Sequence, residues 1–157
     1  MFSPEMIQTE PMTVAYVTIH GSFDQIPQTY GLLYGWIAQH GLTPTGMPGT
    51  AYLTDPSSVP EDQNVYEVWA PFSGDAAEAG PDASGVGVKR IESMLVAKTM
   101  HIGPYDTLAE TYGLLVGWIA GQSHEICGPA MEFYYSDPAV TRPEEYETEI
   151  WLPVKPK

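Results

Sequence analysis

Two stretches of the chain carry the same succession of hydrophobic periods. Residues 13–20 are rich in Val, Ile, Thr and Tyr and read as a strand; residues 95–101 take the same place further on. Gly21-Ser22 and Gly103-Pro104 then break the chain, and Ser22 followed by Gln25 fits a capping box. Ile26, Tyr30, Leu33 and Ile37 recur at the spacing of one helical stripe. Leu108, Tyr112, Leu115 and Ile119 predict a second helix, and Gly41 predicts the stop of the first. Short strands are expected at 49–54 and 65–71, with counterparts at 131–136 and 148–153. Asp55-Pro56-Ser57 and Asp137-Pro138 supply the turns between them.

The counterparts are related by one offset, 82 residues. Tyr30-Gly31-Leu32-Leu33 returns as Tyr112-Gly113-Leu114-Leu115, and Gly35-Trp36-Ile37-Ala38 as Gly117-Trp118-Ile119-Ala120. Glu67, Trp69 and Pro71 return as Glu149, Trp151 and Pro153. The pattern predicts duplication of a β-α-β-β unit. The expected class is α+β, a pseudo-twofold antiparallel sheet with two main helices on one face and a central groove. One domain, 1–157, would then comprise repeats 13–72 and 95–154. The stretch 73–92, rich in Gly, Ala, Asp and Ser, reads as a flexible surface linker. Each helix carries glycines four apart, which points to close packing or to room for a flat ligand.

Composition narrows the function. Lys and Arg number 6 against 20 Asp and Glu, a formal net charge of −14. That balance argues against nucleic acid and against anionic lipid. No apolar run is long enough to span a membrane, and the N-terminus lacks a signal-peptide pattern, so a cytoplasmic protein is expected. Cys127 is the only cysteine, which excludes an internal disulfide and a cysteine metal site. His20, His40, His101 and His124 have no metal-ligand spacing, and the sequence calls for no metal and no cofactor.

The candidate chemistry lies on the last strand of each copy. Positions two apart share a strand face, so Glu67 joins Trp69 and Glu149 joins Trp151, with Val68, Ala70, Ile150 and Leu152 opposite. A mid-strand carboxylate between hydrophobic residues conflicts with simple core building, and burying it unpaired is costly. Trp36 and Trp118, with Tyr30, Tyr52, Tyr112 and Tyr134, are also matched across the repeat. Together they suggest an aromatic-walled, acidic groove suited to a flat organic cation, each ring contributing roughly 0.5–2 kcal/mol by cation–π contact.

The repeat resembles the GyrI-like small-molecule-binding family, the effector-binding domain of bacterial drug-responsive regulators. The resemblance rests on His101-Ile102-Gly103-Pro104-Tyr105, Tyr112-Gly113-Leu114-Leu115 with Trp118, Met131-Glu132-Phe133-Tyr134 before Asp137-Pro138, and Thr148-Glu149-Ile150-Trp151-Leu152-Pro153-Val154. It implies recognition of bulky, lipophilic, often cationic aromatic compounds, with the family's last-strand acid at Glu149. The family's Glu before the middle-strand Tyr falls on Glu132, read as structural or as a supporting partner. Only 13 residues precede Val14, so a stand-alone protein without a helix-turn-helix is expected. Some members hydrolyse cyclopropane-bearing alkylating toxins with a Glu and a Tyr; the resemblance then implies Glu149 as base and Tyr112 or Tyr134 as acid. Others resemble gyrase inhibitors, a protein-interaction role that the acidity permits.

Overall fold

A computed structural model describes residues 2–157. The chain divides into two units, Glu10–Ser93 and the segment through Thr9 joined to Met94–Lys157. Within each, every strand pair is antiparallel and one main helix covers the sheet, so the class is α+β.

In the first unit, β2 (Met12–His20) leads through a one-turn 3-10 segment, Phe23–Gln25, into α1 (Ile26–Gln39). Next come β3 (Thr43–Pro44), β4 (Gly49–Tyr52), β5 (Val65–Ser73) and β6 (Gly87–Ile91). β5 pairs with β2, β3 and β4, and β6 pairs with the other side of β2. Leu33, Trp36 and Ile37 of α1 pack on Ala15, Ile19, Tyr66, Val68, Ala70, Phe72 and Val88. Fully burying one Leu or Ile contributes about 1.5–3 kcal/mol, so this stripe anchors the helix far more strongly than its glycine-containing sequence could.

The second unit contains β1 (Glu5–Gln8), β7 (Leu95–Ile102), α2 (Leu108–Gly121), β8 (His124–Ile126), β9 (Met131–Tyr134) and β10 (Glu147–Pro156). β7 lies between β1 and β10, and β10 also pairs with β8 and β9. Leu115 and Ile119 close on Ala97, Ile150, Leu152 and Val154. α2 and β9 each begin 82 residues after α1 and β4.

Two local expectations need correction, and one strand is new. Part of 73–92 is structured: β6 pairs with β2, and Val86, Val88 and Ile91 are buried. The Gly/Ala/Asp composition hides that short alternating run. The segment before β2 also holds a strand, β1, which the hydrophobic pattern does not announce. Ser22 caps the 3-10 turn rather than forming a reciprocal box. Its Oγ accepts from the Asp24 N–H, while the Gln25 amide donates to the Ser22 and His20 carbonyls.

The helical glycines do not serve close packing. A Cβ at Gly31, Gly35, Gly113 or Gly117 would meet nothing within 4 Å. Gly41 does stop α1 in the left-handed region, at φ +69°.

Candidate functional site

Strand register sorts the sequence candidates onto two faces of each sheet. In the first unit, Tyr66 and Val68 face α1 together with Thr50 and Tyr52; Glu67 and Trp69 face away with Thr18 and Tyr16. In the second, Thr148, Ile150 and Leu152 face α2 together with Glu132 and Tyr134, while Glu149 and Trp151 face away. Trp36 and Trp118 belong to the helix sides, packed into or against the two cores. Within each unit the predicted ligand residues therefore divide between the two faces of the sheet. Tyr30, Tyr52, Trp36, Tyr112, Tyr134 and Trp118 lie on helix sides, and the Glu–Trp pairs lie opposite.

Among the described residues one buried carboxylate stands on a helix side, Glu132, 5% exposed. Its Oε2 accepts from the Tyr112 hydroxyl at 2.6 Å and its Oε1 from the Tyr134 hydroxyl at 3.1 Å. These are the tyrosines that sequence reasoning assigned to Glu149. Their partner is Glu132, because β9 alternation places residues 132 and 134 toward α2, whereas β10 alternation points 149 the other way. Burial above all, and then the Glu132 charge, drive the Tyr112 phenol far above its ordinary range. Tyr112 therefore holds its proton and acts as a fixed donor to the carboxylate.

The repeat shows what is specific about this place. At the matching positions of the first unit, Glu132 is Thr50, Thr148 is Tyr66, Thr99 is Val17 and His101 is Ile19. There the helix side is filled: Tyr66 is fully buried, donates to the Ser22 carbonyl at 2.7 Å and packs edge-on to Phe23. The Tyr30 hydroxyl lies 3.4 Å from the neutral Thr50 hydroxyl. In the second unit the four side chains are all polar: Thr148, Thr99 and His101 replace that packing, and Glu132 puts a charge in place of a hydroxyl.

Two of those four end in hydroxyls, those of Thr99 and Thr148, that are buried and unpartnered among the described residues. Each such group costs about 1–3 kcal/mol. Ile150 lies between Glu132 and Thr99 across the sheet, and Thr148 between Tyr134 and His101, so these groups form one neighbourhood. His101 is held there, Nδ1 on the Thr111 hydroxyl at 2.6 Å and Nε2 near the Thr107 hydroxyl and the Pro104 carbonyl, both at 3.1 Å. Tyr105 borders the patch, its ring 6.1 Å from that of Tyr134 and stacked on Tyr146.

The opposite faces hold two carboxylate–indole pairs. Trp151 Nε1 donates to Glu149 Oε1 at 2.6 Å, Tyr135 donates to Oε2 at 3.2 Å, and Phe133 lies against the Trp151 ring. Trp69 Nε1 donates to Glu67 Oε1 at 2.9 Å, and Lys89 forms an ion pair with the same oxygen. An indole N–H satisfies a carboxylate that the strand pattern would otherwise leave stranded, which explains why the Glu-x-Trp spacing occurs twice.

Remaining candidates fall outside these clusters. An open pocket of about 330 Å³ in the first unit is lined by Ser22, Phe23, Asp24, Pro56, Glu61 and Asn64. Cys127 is exposed. Among the described residues no His/Cys/Asp/Glu group is arranged to hold a metal ion, and no helix is long and apolar enough to cross a membrane.

Among solved structures, the C-terminal domain of EcmrR superposes with a TM-score of 0.77 at 20% identity, covering 99% of each chain. EcmrR in its DNA complex gives 0.83 at 18% identity, covering 99% of this chain and 58% of that one. This chain thus spans somewhat over half the length of the EcmrR protomer. A hydrolase from Listeria innocua gives 0.72 at 19%, covering 97% of this chain and 91% of that one. SAV2435 bound to tetraphenylphosphonium gives 0.57 at 17%, covering 98% and 94%. At these identities the likeness is one of fold. No curated protein matches the sequence. The sequence from residue 2 to residue 155 does match the GyrI-like small molecule binding domain, and the chain belongs to the GyrI-like family.

Proposed function

We propose that this protein binds a bulky aromatic, lipophilic cation through the Glu132 carboxylate, with Tyr112 and Tyr134 holding that carboxylate in place. The observation that carries the reading is the buried Glu132, bonded at both oxygens by phenols, in the one repeat whose helix side is polar. A carboxylate in a low-dielectric setting attracts a cation more strongly than one in water, and neutral donors orient it without cancelling its charge. SAV2435, of like fold, is bound to tetraphenylphosphonium, a cation of this class. The Glu149–Trp151 pair offers a second acidic, aromatic contact on the opposite face.

The test is titration with tetraphenylphosphonium by tryptophan fluorescence, beside the neutral triphenylphosphine oxide. Glu132→Gln is expected to weaken the cation at least tenfold, roughly the effect of 1.4 kcal/mol, and the neutral compound little. Equal weakening of both compounds overturns the charge argument. If Glu149→Gln alone produces the selective loss, the binding carboxylate is Glu149.

A hydrolytic reading finds support in the short Tyr112–Glu132 hydrogen bond and in the hydrolase of like fold. Glu132 would serve as base toward water. Against it, a phenol whose pKa is driven so high is a poor proton donor to a leaving group. Incubation with a cyclopropane-bearing alkylator and mass analysis separates the two: catalytic formation of the water adduct marks an enzyme, and stoichiometric binding without product marks a binder.

A further inference from the structure

The face of the first unit that turns away from α1 holds a complete ammonium cage with an occupant. Lys89, on β6, pairs its Nζ with Glu67. The same nitrogen lies 4.6 Å from the centre of the Tyr16 ring and 5.7 Å from that of Trp69. Trp69 Nε1 donates to the Glu67 oxygen that receives the lysine. A carboxylate and two aromatic faces around one –NH₃⁺ is the arrangement by which proteins bind alkylammonium ions.

The cage is built and not incidental. Tyr16 is opposite both Trp69 and Gly87 in the sheet. A Cβ at Gly87 would lie 2.6 Å from the Tyr16 ring, so glycine there lets the ring lie across β6 toward Lys89. Glu67 is 8% exposed and Trp69 4%, so the ion pair is not one of the screened surface pairs worth little. The lysine side chain itself keeps 31% of its surface, so the site is reachable from solvent.

The other unit lacks this occupant. At the place of Lys89, which faces Val14, β1 puts Ile7 opposite Val96. Tyr16 is replaced there by Lys98, which pairs with Glu5 at 3.3 Å. Among the described residues, no Lys or Arg forms an ion pair with Glu149.

We propose that Glu67, Trp69 and Tyr16 form an alkylammonium site that the chain keeps filled with its own Lys89. Lys89 acts as a tethered ligand that bars external amines from this unit. The inference goes beyond the Glu132 reading and uses other residues on another face, so either can fail alone.

The test restores the missing atoms from solution. Lys89→Ala removes three carbons and the ammonium, the atoms of n-propylammonium. Adding n-propylammonium chloride to this variant is expected to raise its Tm saturably by about 2–4 °C and to shift its tryptophan emission. Wild type should change no more than with sodium chloride at equal ionic strength. 1-Propanol should give no rescue, and Lys89→Ala combined with Glu67→Gln should not respond to the amine. A folded Lys89→Ala that ignores the amine, or that answers equally to propanol, overturns the proposal. If Lys89→Ala does not fold, Lys89→Met, which lacks only the ammonium group, decides in the same way with ammonium chloride: a saturable shift beyond that given by sodium chloride supports the site and none rejects it.

Discussion

The Tyr112 hydroxyl donates to Glu132 Oε2 at 2.6 Å, tying α2 to β9 where the matching residues of the first unit are Tyr30 and the neutral Thr50. A hydrogen bond to a charged group contributes about 1.5–3 kcal/mol. Tyr112→Phe is therefore expected to destabilise by about that amount in urea unfolding, with an unchanged m-value.

The same pair sets a pH dependence. The Tyr112 pKa is raised in the folded state, mainly by burial and next by the Glu132 charge. Below about pH 10 the phenol is protonated in both folded and unfolded chains. Above it the unfolded chain loses the proton while the folded chain keeps it. Stability is thus fully present below the unfolded value and falls as pH rises beyond it, by up to about 1.4 kcal/mol per pH unit for this group. Urea unfolding between pH 8 and 11 should show the decline, and Tyr112→Phe should make it shallower, the remainder coming from other raised phenols such as Tyr66, pushed up to about 12 by burial.

Thr148 carries a buried hydroxyl without a partner among the described residues. Thr148→Val keeps the shape and removes the hydroxyl. It is expected to stabilise the protein by about 1–2 kcal/mol, read as a higher urea midpoint. A loss of stability would mean that the hydroxyl is satisfied in solution.

α1 and α2 end differently. Gly41 takes the left-handed conformation after α1, whereas the matching residue after α2 is Ser123, at φ +58°. A residue with a Cβ pays roughly 1–2 kcal/mol for that conformation. Ser123→Gly should recover part of that, about 0.5–1 kcal/mol after glycine's larger chain entropy is set against it, seen as a rise in Tm.

Asp82 holds the loop before β6. It accepts from the Ser84 hydroxyl and N–H, from the Val86 N–H, and from Trp36 Nε1 at 2.9 Å. The Ser84 hydroxyl first, and then the Trp36 indole, keep its carboxyl well below the usual range. The contribution is present above the unfolded value near pH 4 and is lost as pH falls through the folded one. Asp82→Ala should speed cleavage by a Glu-specific protease after Glu78, followed by mass spectrometry.

Much of the architecture is readable from periodicity. Leu33, Ile37, Leu115 and Ile119 recur at helical spacing and all four are buried, because a stripe repeating near 3.6 residues leaves a helix one face to cover. The β5 and β10 alternations, Glu67/Trp69 against Val68/Ala70 and Glu149/Trp151 against Ile150/Leu152, also hold in the sheet. β1 and β6 are less readable. They are short, and their pairing with β7 and β2 depends on residues far away in sequence.

The sequence by itself determined the offset of 82, the two main helices, the α+β class and the family, since these follow from local spacing and residue identity; the short strands β1, β3, β6 and β8 lay beyond it. It did not determine which acid meets which phenol. Only tertiary structure decided that Glu132, and not Glu149, receives Tyr112 and Tyr134, and that Lys89 fills the Glu67 cage. Alternation gives each residue a face, but partners on that face come from register and from helix placement. Those are set by the packing of the whole unit and not by any short motif.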